Sequence, residues 1–173
     1  MAFLTDLEFM KDYITGNRVP LVGAELNRQQ VEQYLVEVLG YEKDAVEVDR
    51  KLEFTAVGEL WKTKLDLVVR VGETPVMVIK CAAGSLGSRE KEVVSAARIA
   101  FDTPVPLAVV SDGNTALVFD TLSRKQVGEG LSAIPTPARA TEIAATPTEP
   151  LAPKELDRAR IVFRSYDSMN VNR

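Results

Sequence analysis

The sequence contains no histidine, and among its 173 residues there is a single cysteine, Cys81. Chemistry that needs an imidazole or a thiolate cluster is therefore excluded. Ser-His-Asp triads, HExxH zinc sites, zinc fingers, histidine-based nucleases and internal disulfides all fall away. No apolar run approaches the roughly 18 residues of a membrane span. The opening Met-Ala-Phe-Leu-Thr-Asp-Leu-Glu carries acids where a signal or transit peptide would carry bases. A cytoplasmic protein with no membrane contact is expected. An excess of positive charge is missing too: 21 Lys and Arg stand against 25 Asp and Glu, a net charge of -4. Bulk charge thus gives no support to tight non-specific nucleic-acid binding. What is present, 46% hydrophobic and 27% charged residues, suits one soluble domain of about 100–150 residues with a tail left over. Carboxylate–metal chemistry, lysine chemistry, or binding without catalysis remain open.

Phe3, Leu7, Met10 and Ile14 fall at helical spacing, so residues 1–19 are expected to form an N-terminal helix stopping at Gly16-Asn17. A longer helix is predicted over residues 25–39, with Leu26, Val31, Tyr34, Leu35 and Val38 as its apolar stripe and Gly40 as its stop. From Ala45 the period changes to two: Val46, Val48, Arg50, Leu52 and Phe54 alternate with charged residues, which is strand patterning. Residues 64–71 and 75–82 read as two apolar strands joined at Gly72-Glu73-Thr74 into a hairpin. A helix over 89–101 then ends before Pro104 and Pro106. Strands at 107–111 and 116–120 flank the turn at Asp112-Gly113-Asn114. Residues 132–153 are rich in Ala, Pro and Thr, with prolines at 135, 137, 147, 150 and 153, and read as an extended linker. Residues 154–173 recover an amphipathic helix carrying Leu156, Ala159, Val162, Phe163, Tyr166 and Met169, expected to dock on the core or on a second copy of the chain. The order helix-strand-strand-strand-helix-strand-strand predicts an α/β fold, a mixed sheet flanked by helices, over residues 20–131.

Several stretches carry a resemblance: Glu25-Leu26-Asn27-Arg28-Gln29-Gln30-Val31 with Leu39-Gly40-Tyr41, Leu65-Asp66-Leu67-Val68-Val69, Val76-Met77-Val78-Ile79-Lys80-Cys81-Ala82, and Val109-Val110-Ser111-Asp112-Gly113-Asn114 with Val118-Phe119-Asp120. In order and spacing they resemble the N-terminal nuclease domain of the type I restriction enzyme R subunit, within the PD-(D/E)XK restriction-endonuclease-like superfamily. The resemblance covers a little over half of the chain. It implies a Mg²⁺ held by an Asp at the start of one strand, by the Glu of a Glu-x-Lys on the next and often by a helical Glu, with the Lys orienting the attacking water. Asp66 matches the Asp, but Lys80 stands in place of the Glu and Ala82 in place of the Lys. A Gln and a Tyr that recur in the family's next helix fall at Ser95 and Ile99 here.

If the hairpin turn centres on Glu73, Asp66 and Lys80 face one another with Cβ atoms about 4.5–5.5 Å apart, and an ion pair follows. At about 4 Å and an effective dielectric near 20, one unit charge beside another is worth roughly 4 kcal/mol before solvation. Lys80 therefore opposes a divalent cation at Asp66, and a salt bridge is expected where the family holds metal. No cofactor is expected on this reading. The same register places Lys64 opposite Ala82, from where it could replace the missing lysine, while Glu25 or Glu32 could add a helical carboxylate. The alternative is thus an active Mg²⁺-dependent endonuclease using Asp66, Lys64 and Glu25 or Glu32. Cys81 points to the opposite face as a buried apolar residue, and the Gly84–Ser88 loop lacks the lysine of a phosphate-binding loop. Arg50, Lys51, Lys62, Lys64, Arg89 and Lys91 form a candidate basic rim for DNA. The expectation is a stand-alone, catalytically degenerate relative without the helicase motor of a full R subunit. Its role would be binding, either to nucleic acid or, through its C-terminal helix, to a protein partner or a second copy of itself.

Overall fold

The computed structural model describes residues 8–169. Strands β1 (Phe9–Lys11) and β2 (Arg18–Pro20) form a small hairpin, and α1 (Glu25–Gln33) follows, running on through a π-helical turn at Tyr34–Val38. Three long antiparallel strands come next: β3 (Val46–Ala56), β4 (Glu59–Val71) and β5 (Thr74–Cys81). Helix α2 (Glu90–Ile99) carries the chain across to β6 (Leu107–Ser111), which lies parallel to β5. Strands β7 (Ala116–Asp120) and β8 (Gln126–Glu129) complete the sheet antiparallel, and helices α3 (Pro137–Ala144) and α4 (Pro153–Ser168) follow. The sheet order is β3-β4-β5-β6-β7-β8, so its single parallel pair is the one bridged by α2. This is a mixed α/β architecture, consistent with a restriction-endonuclease-like domain.

Two buried layers hold the sheet. One face packs Val68, Val78 and Ala108 against Val93 and Ala97 of α2 and Ala159 and Phe163 of α4. The other packs Leu67, Val69, Met77 and Ile79 against Val31 and Leu35 of the first helix, with Ala140 of α3 buried in the same layer. Gly113, at φ 89 in the β6–β7 turn, lies so close to α1 that an added Cβ would fall 2.8 Å from Cβ of Gln30. Only glycine fits both that backbone and that approach.

The sequence reading and the structure differ in four places. Residues 9–20 are a hairpin rather than helix, because turn chemistry overrides the helical spacing of Met10 and Ile14: Asp12 accepts hydrogen bonds from the backbone N–H groups of Ile14 (3.2 Å) and Thr15 (2.8 Å). Phe3 and Leu7 of the expected helix lie outside the described residues. On α1 the expected apolar stripe is only half right, since Leu26 is 52% exposed and Val38 67% exposed, while Arg28, Gln29 and Glu32 are buried. Residues 132–153 contain a capped helix where an extended linker was expected: Thr136 Oγ1 accepts from the N–H of Arg139, Pro137 takes the first helical position, and Tyr41 Oη donates to the Pro135 carbonyl. Strand β8 has no signal in the sequence pattern, because it is an edge strand whose apolar residue, Val127, is exposed.

The C-terminal helix docks on its own core. Phe163 meets Phe54 edge to face at 5.8 Å, Trp61 Nε1 donates to Asp167 at 2.8 Å, and Arg164 reaches the Ala56 carbonyl and Glu59. Of the two surfaces expected to receive this helix, the core takes Ala159 and Phe163, while Met169 stays exposed.

Candidate functional site

The site begins with the β4–β5 hairpin. At its turn, Val71 pairs with Thr74 and Arg70 with Pro75, but a register shift between Val69 and Arg70 moves the ladder to Val69–Met77, Val68–Val78 and Leu67–Ile79. A one-residue shift exchanges the faces of every side chain beyond it. Continued one step, the shifted register sets Asp66 against Lys80, and their charged groups stand 3.8 Å apart. Lys80 Nζ also lies 3.9 Å from Glu92 of α2, a carboxylate with a 2% exposed side chain, while Arg89 approaches Glu92 at 3.6 Å. Asp66 Oδ2 accepts the backbone N–H of Cys81 at 2.8 Å. The Cys81 side chain is buried on the opposite face, where burial pushes its thiol pKa well up.

On the other side of Asp66, a cleft of about 350 Å³ opens between the β1–β2 hairpin, α1 and the sheet, lined by Glu25, Arg28, Asp49, Lys64 and Asp66 among others. Arg28 is its centre. Its Nη1 donates to Asp49 Oδ1 at 2.8 Å, and its Nε and Nη2 donate to Glu25 Oε1 at 3.0 and 2.6 Å. Glu25 Oε1 also accepts from Gln29 Nε2 at 2.8 Å. Burial alone would lower the Arg28 pKa, but the bonds to Asp49 and Glu25 outweigh it and raise the value. Lys64, 67% exposed at its side chain, turns toward Asp49 Oδ1 at 3.7 Å.

Asp49 sits at φ 54, a left-handed backbone that non-glycine residues adopt rarely. It lies opposite Asp66, between the paired couples Val48–Leu67 and Arg50–Leu65. Leu67, with Val48 beside it, belongs to the α1 layer, whereas Leu65 and Leu52 belong to the α2 layer. The two strands thus change layers at this aspartate pair.

Glu32 stands behind Arg28, fully buried and 4.0 Å from Nε. Burial, then the neighbouring Asp12 carboxylate, pushes its pKa up to about 9. A carboxyl with that value holds its proton at pH 7. Burial would raise the Asp12 pKa, but bonds from Gln29 (2.8 Å) and Thr15 and the contact with Glu32 hold it below its ordinary value.

Of the residues singled out from sequence, Asp66, Lys64 and Glu25 line one cleft, Lys80 lies beside Asp66 on the α2 side, and Glu32 is sealed behind Arg28. Mg²⁺ takes six oxygen ligands at about 2.0–2.1 Å. The residues present do not fit it: the best-placed oxygens of Glu25 and Asp49 already accept from Arg28, and Asp66 faces the Lys80 ammonium. Among the described residues, no group of three or more His, Cys, Asp or Glu side chains is arranged to hold a metal ion. Asp66, Asp49 and Glu25 are matched instead by Arg28, Lys64 and Lys80.

Sequence reasoning missed Arg28, Gln29, Asp12, Asp49 and Glu92. Glu25, Arg28, Gln29 and Glu32 recur at three- and four-residue spacing, a visible stripe that reads as solvated unless a polar cleft is known to await it. Nothing local marks Asp49, since the alternation of β3 runs through it unbroken.

The expected basic rim is partly assembled. Lys51 faces Lys64 across β3–β4, with Lys62 nearby, and all three are exposed. Arg50 is taken up by Glu47 and by the Phe101 ring, 4.2 Å from its guanidinium carbon. No helix among the described residues is long and apolar enough to cross a membrane.

No curated protein and no solved structure matches the chain. The family model for the type I restriction enzyme R protein N terminus matches residues 23–135, from the start of α1 to just before α3. With the whole six-stranded sheet and helices α1 and α2 inside that match, the chain belongs to the family of type I restriction enzyme R protein N-terminal domains.

Proposed function

We propose that this chain is a non-catalytic member of its family that binds DNA, in the cytoplasm, with the ancestral metal site converted into a charge-neutral cluster. One observation carries the reading: the Lys80 ammonium occupies the space between Asp66 and Glu92, at 3.8 and 3.9 Å, where a divalent cation would otherwise be drawn. Arg28 acts in the same direction from the cleft side by engaging Glu25 and Asp49. Restriction enzymes act on DNA, and the exposed Lys51, Lys62 and Lys64 beside the cleft supply cations for its backbone.

Binding to a duplex oligonucleotide across a salt series tests the role. Replacing the three lysines by alanine is expected to weaken binding and to reduce the salt slope by about 0.9 per lost phosphate contact. An unchanged slope removes this surface from the interface.

The second reading, a Mg²⁺-dependent endonuclease using Asp66, Lys64 and Glu25, draws on the way these side chains share one cleft. Incubating the protein with plasmid and Mg²⁺ or Mn²⁺ separates the two. Intact plasmid is expected, and cleavage abolished by Asp66→Ala would overturn the non-catalytic reading.

A further inference from the structure

A second cleft, of about 320 Å³, lies between α2 and α4. Four cations line it: Lys91 and Arg98 from α2, Arg124 from the turn after β7, and Arg158 from α4. Against them stand two acids, Glu90 and Glu155, so the lining is net positive in a chain whose net charge is -4. Elsewhere on the same helices the arginines are paired: Arg89 with Glu92, Arg160 with Asp157, and Arg164 with Glu59. Among the described residues, none of the four cleft cations lies within ion-pair distance of a carboxylate.

Arg98 is fixed in place. Its Nε donates to the Thr121 carbonyl at 3.1 Å and its Nη2 to the Leu122 carbonyl at 3.0 Å, which ties α2 to the turn that presents Arg124. Burial, then the nearby Arg124 charge, lowers the Arg98 pKa, with Glu155 opposing. Arg98 and Arg124 thus bring like charges to one cleft lining, and an anion seated there is favoured by both. Val94, Ala159 and Val162 give the cleft an apolar floor.

We propose that the α2–α4 cleft is a phosphate-binding site, with Arg98 as its fixed member and Arg124, Arg158 and Lys91 as exposed arms that close on the anion. Guanidinium groups suit this because their planar forks match phosphate oxygens two at a time. The ligand is a phosphate group, either free or carried on a nucleic-acid backbone. The site is independent of the Asp66 cluster and of the Lys51–Lys64 surface. Part of it, Arg158 with Ala159 and Val162, comes from residues beyond the family match, so this chain's own C-terminal helix completes it.

Amide spectra of the full chain provide the test, recorded with inorganic phosphate in one series and with a short duplex in another. Phosphate is expected to shift the amides of residues 90–98, 121–125 and 155–162 in a saturable way. The double change Arg124→Gln with Arg158→Gln should weaken that response at least about tenfold. Both side chains are exposed, and an unchanged thermal melt shows that the fold is kept; Lys91→Gln with Arg158→Gln is the substitute pair if it is not. Shifts at these amides with phosphate alone identify a small-anion site. Shifts with duplex but not with phosphate, lost in the double variant, identify a backbone phosphate. No saturable shift in either series, or equal shifts in wild type and double variant, overturns the proposal. Alanine replacements at Lys51, Lys62 and Lys64 should leave the phosphate response intact, so failure of the DNA reading does not pass for failure here.

Discussion

Glu32 shows how much a single buried side chain can decide. It lies on α1 at a position that sequence reads as either a solvated acid or a metal ligand, yet the fold seals it beside Asp12 and behind Arg28. A carboxyl that ionises near 4.5 in an open chain and near 9 in the fold binds a proton in the native state that the unfolded chain has already released. Its contribution to stability is therefore complete below pH 4.5 and is lost as pH rises through about 9. The slope approaches one proton, about 1.4 kcal/mol per pH unit. Asp12, with a lowered value, acts in the opposite sense and in another window: its contribution is present above its ordinary value of 3.8 and is lost as pH falls toward the folded value. Denaturant unfolding of wild type and Glu32→Gln from pH 5 to 9 checks this. Wild-type stability is expected to fall with pH relative to the variant, since glutamine keeps the shape and does not titrate. Parallel curves would show that Glu32 is ionised in the folded protein.

At the level of elements, what the sequence discloses depends on whether a segment's environment is written in its own pattern. The strands β6 and β7 have the bounds that their apolar runs predict, and α2 begins and ends within two residues of expectation, because each buries what its period advertises. The β4–β5 pairing agrees for a subtler reason. A turn centred on Glu73 predicts the Asp66–Lys80 opposition, whereas the actual turn is Gly72-Glu73 and the irregularity at Val69/Arg70 restores the register. The polar face of α1 and the layer change at Asp49 are tertiary facts, since both depend on a partner surface that no local pattern describes. The prolines differ for another reason: Pro137 and Pro153 are N1 residues of helices, so their position rather than their number carries the structural meaning. The docking of α4 also yields a number. Phe163 is 4% exposed against Phe54, so Phe163→Ala is expected to cost about 3–5 kcal/mol, read as a shift of the denaturant midpoint with no change of oligomeric state by sizing. A loss below about 1 kcal/mol would mean that α4 is only loosely attached.

Across the whole molecule, a six-stranded mixed sheet within the family match carries an ion-pair cluster around Asp66. Around Asp66, three carboxylates (Asp66, Asp49 and Glu25) face three cations (Arg28, Lys64 and Lys80), so the cluster has little pull on a divalent ion, and further exposed cations lie at Lys51 and Lys62 on the β3–β4 surface and in the α2–α4 cleft. The most direct test of this account is titration with Mn²⁺, following paramagnetic broadening at the backbone amides of Asp66 and Cys81, whose N–H the Asp66 carboxylate holds. The account predicts no saturable broadening at these amides at millimolar Mn²⁺, and its appearance when Lys80→Glu restores the carboxylate. Saturable broadening at Cys81 in the wild-type protein, lost in Asp66→Ala, would contradict it.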